Sequence, residues 1–194
     1  MIQGHQIDVS LVLAVSDAED SVGSDIRAFA AHMAGLGLRF EIVAVNDGSR
    51  DNSLGVLKLL ERQLPQLRVV YRDVAGRAFV RGMAEAQGAA VILATTQNRP
   101  LTWAPLGWAL GRLDAGRDAV VLRSRYVVAR RLPCLPAVAR ARGECLAFER
   151  RFEREASGLA LELVGQRKTG SVLSDLATAL RAPLRRLPLP LPRF

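Results

Sequence analysis

Cysteine and histidine are nearly absent from this 194-residue sequence, which contains two of each. Cys134 and Cys145 stand eleven residues apart, a spacing that fits no zinc motif, and two thiols do not make a disulfide framework. We therefore expect a cytoplasmic protein in a reducing compartment. With only His5 and His32, a histidine-based metal site or a Ser-His-Asp triad has almost nothing to be built from.

Long apolar runs are also missing. No uninterrupted apolar stretch approaches the roughly 18 residues of a membrane-spanning helix, and the N-terminus does not have the basic and then apolar order of a signal peptide. We expect neither segment. The composition is otherwise that of a globular protein, with 49% hydrophobic and 24% charged residues, so a chain of this length can bury a core without disulfides.

Lysine is scarce, because 25 of the 27 basic residues are arginine. Residues 1–116 carry 11 basic and 12 acidic side chains, whereas residues 117–194 carry 16 and 7, so the last third holds a net charge of +9. Such a basic third predicts contact with a protein partner or an anionic membrane surface. Nucleic acid is disfavoured, because only 5% of the residues are aromatic side chains that stack on bases.

Short apolar runs alternate with amphipathic stretches over the first two thirds of the chain. The apolar runs predict five buried strands, at Ile7–Val15, Phe40–Val45, Leu67–Tyr71, Ala89–Ala94 and Asp118–Leu122. The stretches between them predict helices, the first ended by Gly35 and Gly37 and the second capped by Asp51 or Ser49. This alternation predicts an α/β fold, a mainly parallel sheet sandwiched by helices as in Rossmann-like proteins.

Ligands of such sheets bind beyond the carboxyl ends of the strands. The candidate site therefore lies in the segments that directly follow the predicted strands, namely Ser16–Asp20, Asn46–Ser49, Asp73, Thr95–Asn98 and Arg123–Tyr126.

Four sequence motifs of this chain occur in the order and spacing found in family 2 glycosyltransferases. The first strand ends in VLAVSDAE (12–19), where that family has a stretch like VIPVYNEE, and the second ends in VAVNDGSRDNS (43–53), which resembles VVDDGSxDxT. GMAEAQGAAVILA (82–94) and GRDAVVLRSRYV (116–127) are similar to GLEAARGDYVLFL and GADVVIGSRYV. RKTGSVLS (167–174) is similar to the RxxGxSKxS of the polyprenyl-phosphate branch.

The resemblance implies a nucleotide-diphospho-sugar transferase fold of the glycosyltransferase A type, with a nucleotide site at the ends of its strands. The residues of this chain that match the family's motifs form the candidate nucleotide site. This site is either a vestige that no longer binds or a site with residual binding. They are Val15, Asp17, Glu19, Asn46, Asp47, Arg77, Thr95, Gln97 and Arg125.

The metal-binding Asp-x-Asp motif of the family is missing from the chain. Thr95-Thr96-Gln97 stands there instead, and no carboxylate occurs between Glu85 and Asp114. Hydroxyl and amide oxygens are neutral and bind Mg²⁺ or Mn²⁺ weakly. Ser16 replaces the aromatic residue of the first loop, and Asn46 replaces an Asp that lies near the base in the family. We therefore assign no metal ligand, no cofactor and no catalytic residue.

Two functions remain open at this point. The first is a non-catalytic relative, in which the fold acts as a binding or scaffold subunit of an assembly. The alternative is an active, metal-independent transferase that moves a sugar from a nucleotide donor to a lipid phosphate or polysaccharide. In that enzyme Asp17 and Asp47 would contact the nucleoside, while Arg125 with Arg77 or Arg81 would neutralise phosphate.

The last third of the chain is predicted to be a separate, basic extension. We place the α/β domain at residues 1–127 and the extension at 128–194, with residues 128–142 as a loop or linker. Residues 172–180 predict an amphipathic helix that ends before Pro183, followed by an extended arm of alternating Pro and Leu. A protein partner or the inner face of the membrane is expected to contact Arg181, Arg185, Arg186 and Phe194. Self-association into a homo-oligomer is a further expectation.

Overall fold

The computed structural model describes residues 7–71, 76–96, 101–141, 143 and 147–165. The predicted C-terminal helix and arm, with Gln97 and the four partner-contact residues, lie outside these residues. Within the described part the strands are β1 (Val9–Val15), β2 (Phe40–Asn46), β3 (Leu67–Val70), β4 (Ala90–Thr95), β5 (Ala119–Leu122), β6 (Tyr126–Arg130) and β7 (Leu161–Val164). The helices are α1 (Val22–Leu36), α2 (Ser53–Gln63), α3 (Ala78–Glu85), α4 (Leu106–Asp114), α5 (Arg131–Arg140) and α6 (Phe148–Glu155).

The strands form one mixed sheet in the order β3-β2-β1-β4-β6-β5-β7. Strands β1 to β4 pair in parallel, and β5 pairs in parallel with β7. Only β6, which lies between β4 and β5, runs antiparallel to its neighbours. The predicted α/β class with a mainly parallel sheet is confirmed, and the carboxyl ends of β1 to β5 all lie at one edge of the sheet.

Helices cover both faces of the sheet and create two separate cores. On one face the inward side chains of the sheet pack against α1, α2 and α4 through residues such as Ile26, Leu57 and Leu106. On the other face they pack against α3, α5 and α6 through residues such as Phe79 and Phe152. This two-sided burial explains why the central strands are continuous apolar runs without alternation.

Two predictions for the region after β5 are wrong. Residues 128–142 are not a loop, because they contain most of β6 and all of α5. The predicted domain boundary at residue 127 falls inside β6, which pairs with β4 on one side and β5 on the other. The two prolines of α5 favoured a loop, but Pro133 lies in the first helical turn, where its missing N–H costs nothing.

The boundaries of the first two helices differ slightly from the predictions. Gly35 lies inside α1, and Gly37 alone ends it, with a left-handed φ of 66°. The N-cap position of α2 is Asn52, and neither predicted residue occupies it. Asp51 nevertheless accepts a hydrogen bond from the Ser53 N–H at 2.9 Å, which satisfies one of the free donors at the start of α2.

Candidate functional site

The candidate site lies at the carboxyl ends of β1, β2 and β4. From β1 the chain moves outward through β2 and β3, and it then returns to the other side of β1 as β4. The loops after β1 and β4 therefore diverge at this point, and the crevice between such loops is where open α/β sheets bind ligands. Most of the described site residues predicted from the sequence border this point or the adjoining end of β2.

The loops after β1 and β2 are cross-linked by reciprocal hydrogen bonds. Asp17 Oδ1 accepts the Arg50 N–H at 2.7 Å, and Glu19 Oε2 accepts the Asn52 N–H at 2.7 Å. In return, the Glu19 N–H donates to Asp51 Oδ2 at 2.9 Å. Both predicted nucleoside-contacting acids of the first loop thus hold the backbone of the second loop.

Side-chain hydroxyls complete this cross-link. The Asp17 N–H donates to Ser49 Oγ at 3.2 Å, and the Ala18 N–H donates to the buried Ser53 Oγ at 2.8 Å. Ser53 Oγ in turn hydrogen-bonds to Asp51, which lowers the pKa of that carboxyl. Asp17 has a left-handed φ of 47°, a conformation that Asp tolerates better than most residues.

The end of β2 is held by its own polar side chains. Asn46 is 8% exposed and its Oδ1 accepts the Ser49 N–H at 3.2 Å. Asp47 accepts the Gly76 N–H with both carboxylate oxygens, at 3.0 and 3.3 Å, and its own N–H donates to the Val15 carbonyl at 2.7 Å. Val15 is fully buried, so only its backbone reaches this network.

The end of β4 is tied to β1 by Thr96. The Thr96 hydroxyl accepts the Ser16 N–H at 3.2 Å and lies 3.5 Å from the Ala14 carbonyl, while the Thr96 N–H also donates to Ala14 at 3.0 Å. Thr96 is 5% exposed. The neighbouring Thr95 directs its hydroxyl to the Thr96 carbonyl at 3.4 Å.

These donors do not fit a divalent cation. At the end of β4 the described residues offer two neutral hydroxyls, and the Thr96 hydroxyl is already engaged by backbone groups. Among residues 7–71, 76–96, 101–141, 143 and 147–165 no three His, Cys, Asp or Glu side chains are grouped to hold a metal ion. Hard cations need several oxygen ligands with negative charge, and Thr95 and Thr96 at the end of β4 do not supply them.

The arginines of the site lie around the same edge. Arg77 is exposed and directly follows Gly76, which Asp47 holds. Arg125 is half-buried in the three-residue turn between β5 and β6. Within the described part of the chain neither of these two guanidinium groups has a carboxylate within salt-bridge distance, whereas Arg81 pairs with Glu85 at 3.1 Å along α3.

Glu149 is a site-supporting residue that sequence reasoning missed. Its carboxylate accepts the Ser124 N–H at 2.8 Å and the Arg125 N–H at 3.1 Å, so α6 holds the turn that carries Arg125. Burial raises the pKa of Glu149, although the two backbone donors oppose the shift. The sequence shows Glu149 next to Phe148 on a helix with an apolar stripe. No local pattern indicates that its carboxylate binds the distant turn at Ser124 and Arg125.

Asp25 is a second missed residue, and it anchors the segment that leads from β4 into α4. It is 2% exposed on α1, and its Oδ1 accepts the Leu101 N–H at 3.0 Å. Its other oxygen, Oδ2, is buried and has no hydrogen-bond partner among the described residues. Trp103 donates its indole N–H to the Asp25 carbonyl at 3.4 Å and stacks on Tyr126 at 5.2 Å. Tyr126, the last residue of the Ser-Arg-Tyr motif, therefore packs in the core.

Comparison with known proteins agrees with this architecture. Residues 23–96 match the model of glycosyl transferase family 2, a range that runs from α1 through the loop after β2 and ends at Thr96. The match covers less than half of the 194 residues of the chain. No curated protein matches the chain in sequence.

Solved structures of glycosyltransferases share this fold at low sequence identity. S. aureus TarS 1–349 is 13% identical with a TM-score of 0.61, over 83% of this chain and 59% of TarS 1–349. Glucosyl-3-phosphoglycerate synthase from Mycobacterium tuberculosis, solved with Mn²⁺, UDP and phosphoglyceric acid, is 19% identical with a TM-score of 0.60, over 90% and 75%. Mannosyl-3-phosphoglycerate synthase from Rubrobacter xylanophilus is 18% identical with a TM-score of 0.61, over 90% and 70%.

The chain spans about three fifths of the length of TarS 1–349. The predicted nucleotide-diphospho-sugar transferase fold is confirmed. None of the helices in the described residues is both long and apolar enough to span a membrane.

Proposed function

We propose that this chain keeps the family 2 glycosyltransferase fold as a binding or scaffold subunit and has lost metal-dependent sugar transfer. The observation that carries the proposal is the end of β4. Thr95 and Gln97 stand where the family has its cation-binding acids, and the hydroxyl of Thr96 between them is engaged in tying β4 to β1. A cation that neutralises a leaving diphosphate needs anionic ligands at this point.

The acids that the chain does retain support the same proposal. Asp17, Glu19 and Asp47 each accept backbone N–H groups of a neighbouring loop. Their retention is explained by loop geometry alone, because each carboxylate accepts a charge-assisted hydrogen bond that fixes a neighbouring loop. A non-catalytic protein would keep such acids while it lost those that serve only the reaction.

The basic C-terminal third is the part of the chain that would connect it to an assembly in the cytoplasm. Its net charge of +9 suits a protein partner with an acidic surface or the inner face of a membrane. Arg181, Arg185, Arg186 and Phe194 are the contacts proposed from the sequence, and self-association of the chain is a further form of the same proposal.

A metal-independent transferase is the second candidate, and one observation favours it. Arg77 and Arg125 lie at the carboxyl edge of the sheet, and in the described residues neither is paired with a carboxylate. Planar guanidinium groups bind phosphate oxygens in pairs and can take the place of a cation. Such an enzyme would transfer a sugar from a nucleotide donor to a lipid phosphate or polysaccharide.

Titration calorimetry with UDP, GDP and their sugar derivatives, with and without Mn²⁺, tests the proposal. The scaffold proposal predicts no binding up to about millimolar nucleotide in either condition. Binding that strengthens by about tenfold with Mn²⁺ would overturn it. Metal-independent binding at about 1 μM would favour the second candidate, provided that Arg125→Ala abolishes it and Arg62→Ala, in the exposed last turn of α2, does not.

A further inference from the structure

Helix α5 is apolar on the side that faces the sheet and also on the side that faces away from it. Cys134, Ala137 and Val138 are buried in the core against the sheet and α6. The opposite side of the helix carries four exposed apolar residues, Leu132, Pro133, Leu135 and Pro136. Leu132 is 70% exposed and Leu135 is 41% exposed. Residues three and four apart lie on one face of a helix, so these four form one patch, the outer α5 face.

Surface helices normally place polar side chains on the side away from the core, and a helix that is apolar all round is normally covered all round. The outer α5 face departs from this rule. The other large exposed hydrophobic residues of the described chain are single ones on separate elements, namely Leu59, Tyr71 and Leu163. Scattered residues of this kind need no explanation, whereas a clustered patch indicates an interaction site.

The charged side chains of α5 itself are all basic. Six arginines and no Asp or Glu occur between Asp118 and Glu144. Arg131 and Arg140 stand at the two ends of α5. On the neighbouring helix, Glu155 is shared between Arg140 and Arg154, so its single carboxylate faces two guanidinium groups. An apolar patch bordered by arginines complements a surface that is anionic outside and apolar just beneath.

We propose that the outer α5 face docks on an anionic lipid membrane. The helix would lie in the plane of the interface, with Leu132 and Leu135 inserted below the headgroups. Arg140, whose side chain is 58% exposed, would lie at the level of the lipid phosphates, where long basic side chains reach while their stems contact apolar surface. This docking does not depend on whether the chain binds a nucleotide, and it uses a region distinct from the predicted C-terminal contacts.

Vesicle co-sedimentation of the full chain tests the proposal. We expect binding to vesicles of phosphatidylglycerol and phosphatidylcholine, weak binding to pure phosphatidylcholine, and loss of binding in high salt. The double variant L132E/L135E should bind anionic vesicles at least about tenfold more weakly. Both leucines are exposed and Glu is a good helix former, so circular dichroism should show an unchanged fold.

Leu59→Glu is the matched control, because Leu59 is 58% exposed on α2, on the other face of the sheet. It should bind vesicles like the wild type. Equal binding by L132E/L135E and the wild type would overturn the proposal, since other parts of the chain would then hold the membrane. A wild-type dimer that L132E/L135E separates, without lipid binding, would also overturn it, because the patch would then be a contact between copies of the chain.

Discussion

At the scale of single residues, the acids of the first loop accept hydrogen bonds from the protein's own backbone. Asp17 combines a left-handed φ of 47° with a 2.7 Å hydrogen bond from the Arg50 N–H. The resemblance to a family motif predicted that this residue matters, and it predicted a nucleoside contact. It could not reveal the backbone partner, because that partner lies 33 residues away.

Substitution of Asp17 tests whether stability depends on its acceptor oxygen and its tolerance of the left-handed conformation. Asp17→Asn keeps an acceptor oxygen and tolerates the left-handed conformation, so we expect its free energy of unfolding to stay within about 0.5 kcal/mol of the wild type. Asp17→Ala loses both, so we expect a decrease of about 1–2 kcal/mol. Urea unfolding measures both values. Equal stability of the two variants would show that the Asp17–Arg50 contact contributes nothing.

Asp25 is one of the residues that make stability depend on pH. Burial raises its pKa above the ordinary value of 3.8, and the Leu101 N–H only partly offsets this. The folded protein therefore holds a proton that the unfolded chain releases, so stability falls as the pH rises from 3.8 towards the raised value.

Asp25→Asn removes this titration while it keeps an acceptor for the Leu101 N–H. We expect the stability of the wild type relative to Asp25→Asn to decrease as the pH rises through that window, as measured by urea unfolding at several pH values. The comparison isolates Asp25, because Glu149, whose pKa is also raised, is present in both proteins. A difference in stability that does not change with pH would contradict this role.

At the scale of elements, the close approach of α3 to β1 depends on a glycine. A Cβ atom at Gly82 would lie 2.1 Å from Cγ1 of Val12, which is fully buried in β1. The side chain of Val12 cannot withdraw, because it fills the core between the sheet and α3.

We expect Gly82→Ala to lower the free energy of unfolding by about 1–3 kcal/mol through overpacking. Gly111→Ala on the exposed side of α4 is the control, since nothing lies within 4 Å of its Cβ position, and it should gain about 0.5–1 kcal/mol. Thermal unfolding compares the two. If Gly82→Ala were as stable as Gly111→Ala, α3 would not lie this close to β1.

The elements that were predicted correctly are those with a strong local signal. Strands β1, β2 and β4 are apolar runs bounded by Gly or polar clusters, so their type and approximate ends follow from the pattern. Strand β6 was missed because Arg123-Ser124-Arg125 reads as a loop after a strand, although the apolar run resumes at once as Tyr126–Ala129. Its place between β4 and β5 is a long-range arrangement that no local pattern encodes.

At the scale of the whole molecule, the described sheet ends with β7 at Val164. Six of the 16 basic residues after residue 116 come later in the chain, from Arg167 to Arg193. We expect fold and C-terminal charge to be separable by truncation.

Deletion of residues 183–194 should leave the thermal unfolding temperature unchanged within about 2 °C, because the described strands and helices all lie within residues 9–164. The same deletion should weaken association with a protein partner or an anionic membrane, as measured by co-purification or vesicle binding. Full association of the truncated chain would show that these residues do not contact the partner.

Only part of the candidate site could be predicted from the sequence. The loops that would form it, and the missing acids at Thr95 and Gln97, follow from the order of motifs in the sequence. The structure adds that the surviving acids and the Thr96 hydroxyl hold backbone groups, which depends on the packing of β1, β2 and β4 side by side. The loss of the cation site is therefore the feature of this chain that most needs a direct test.

Electron paramagnetic resonance of Mn²⁺ tests this claim most directly. Free Mn²⁺ is measured in the presence of UDP, with and without an equivalent of the full-length chain. We expect the protein to leave the signal of free and UDP-bound Mn²⁺ unchanged. Additional loss of free Mn²⁺ equivalent to one ion per chain, at a dissociation constant below about 100 μM, would contradict it and would return the protein to the metal-dependent transferases.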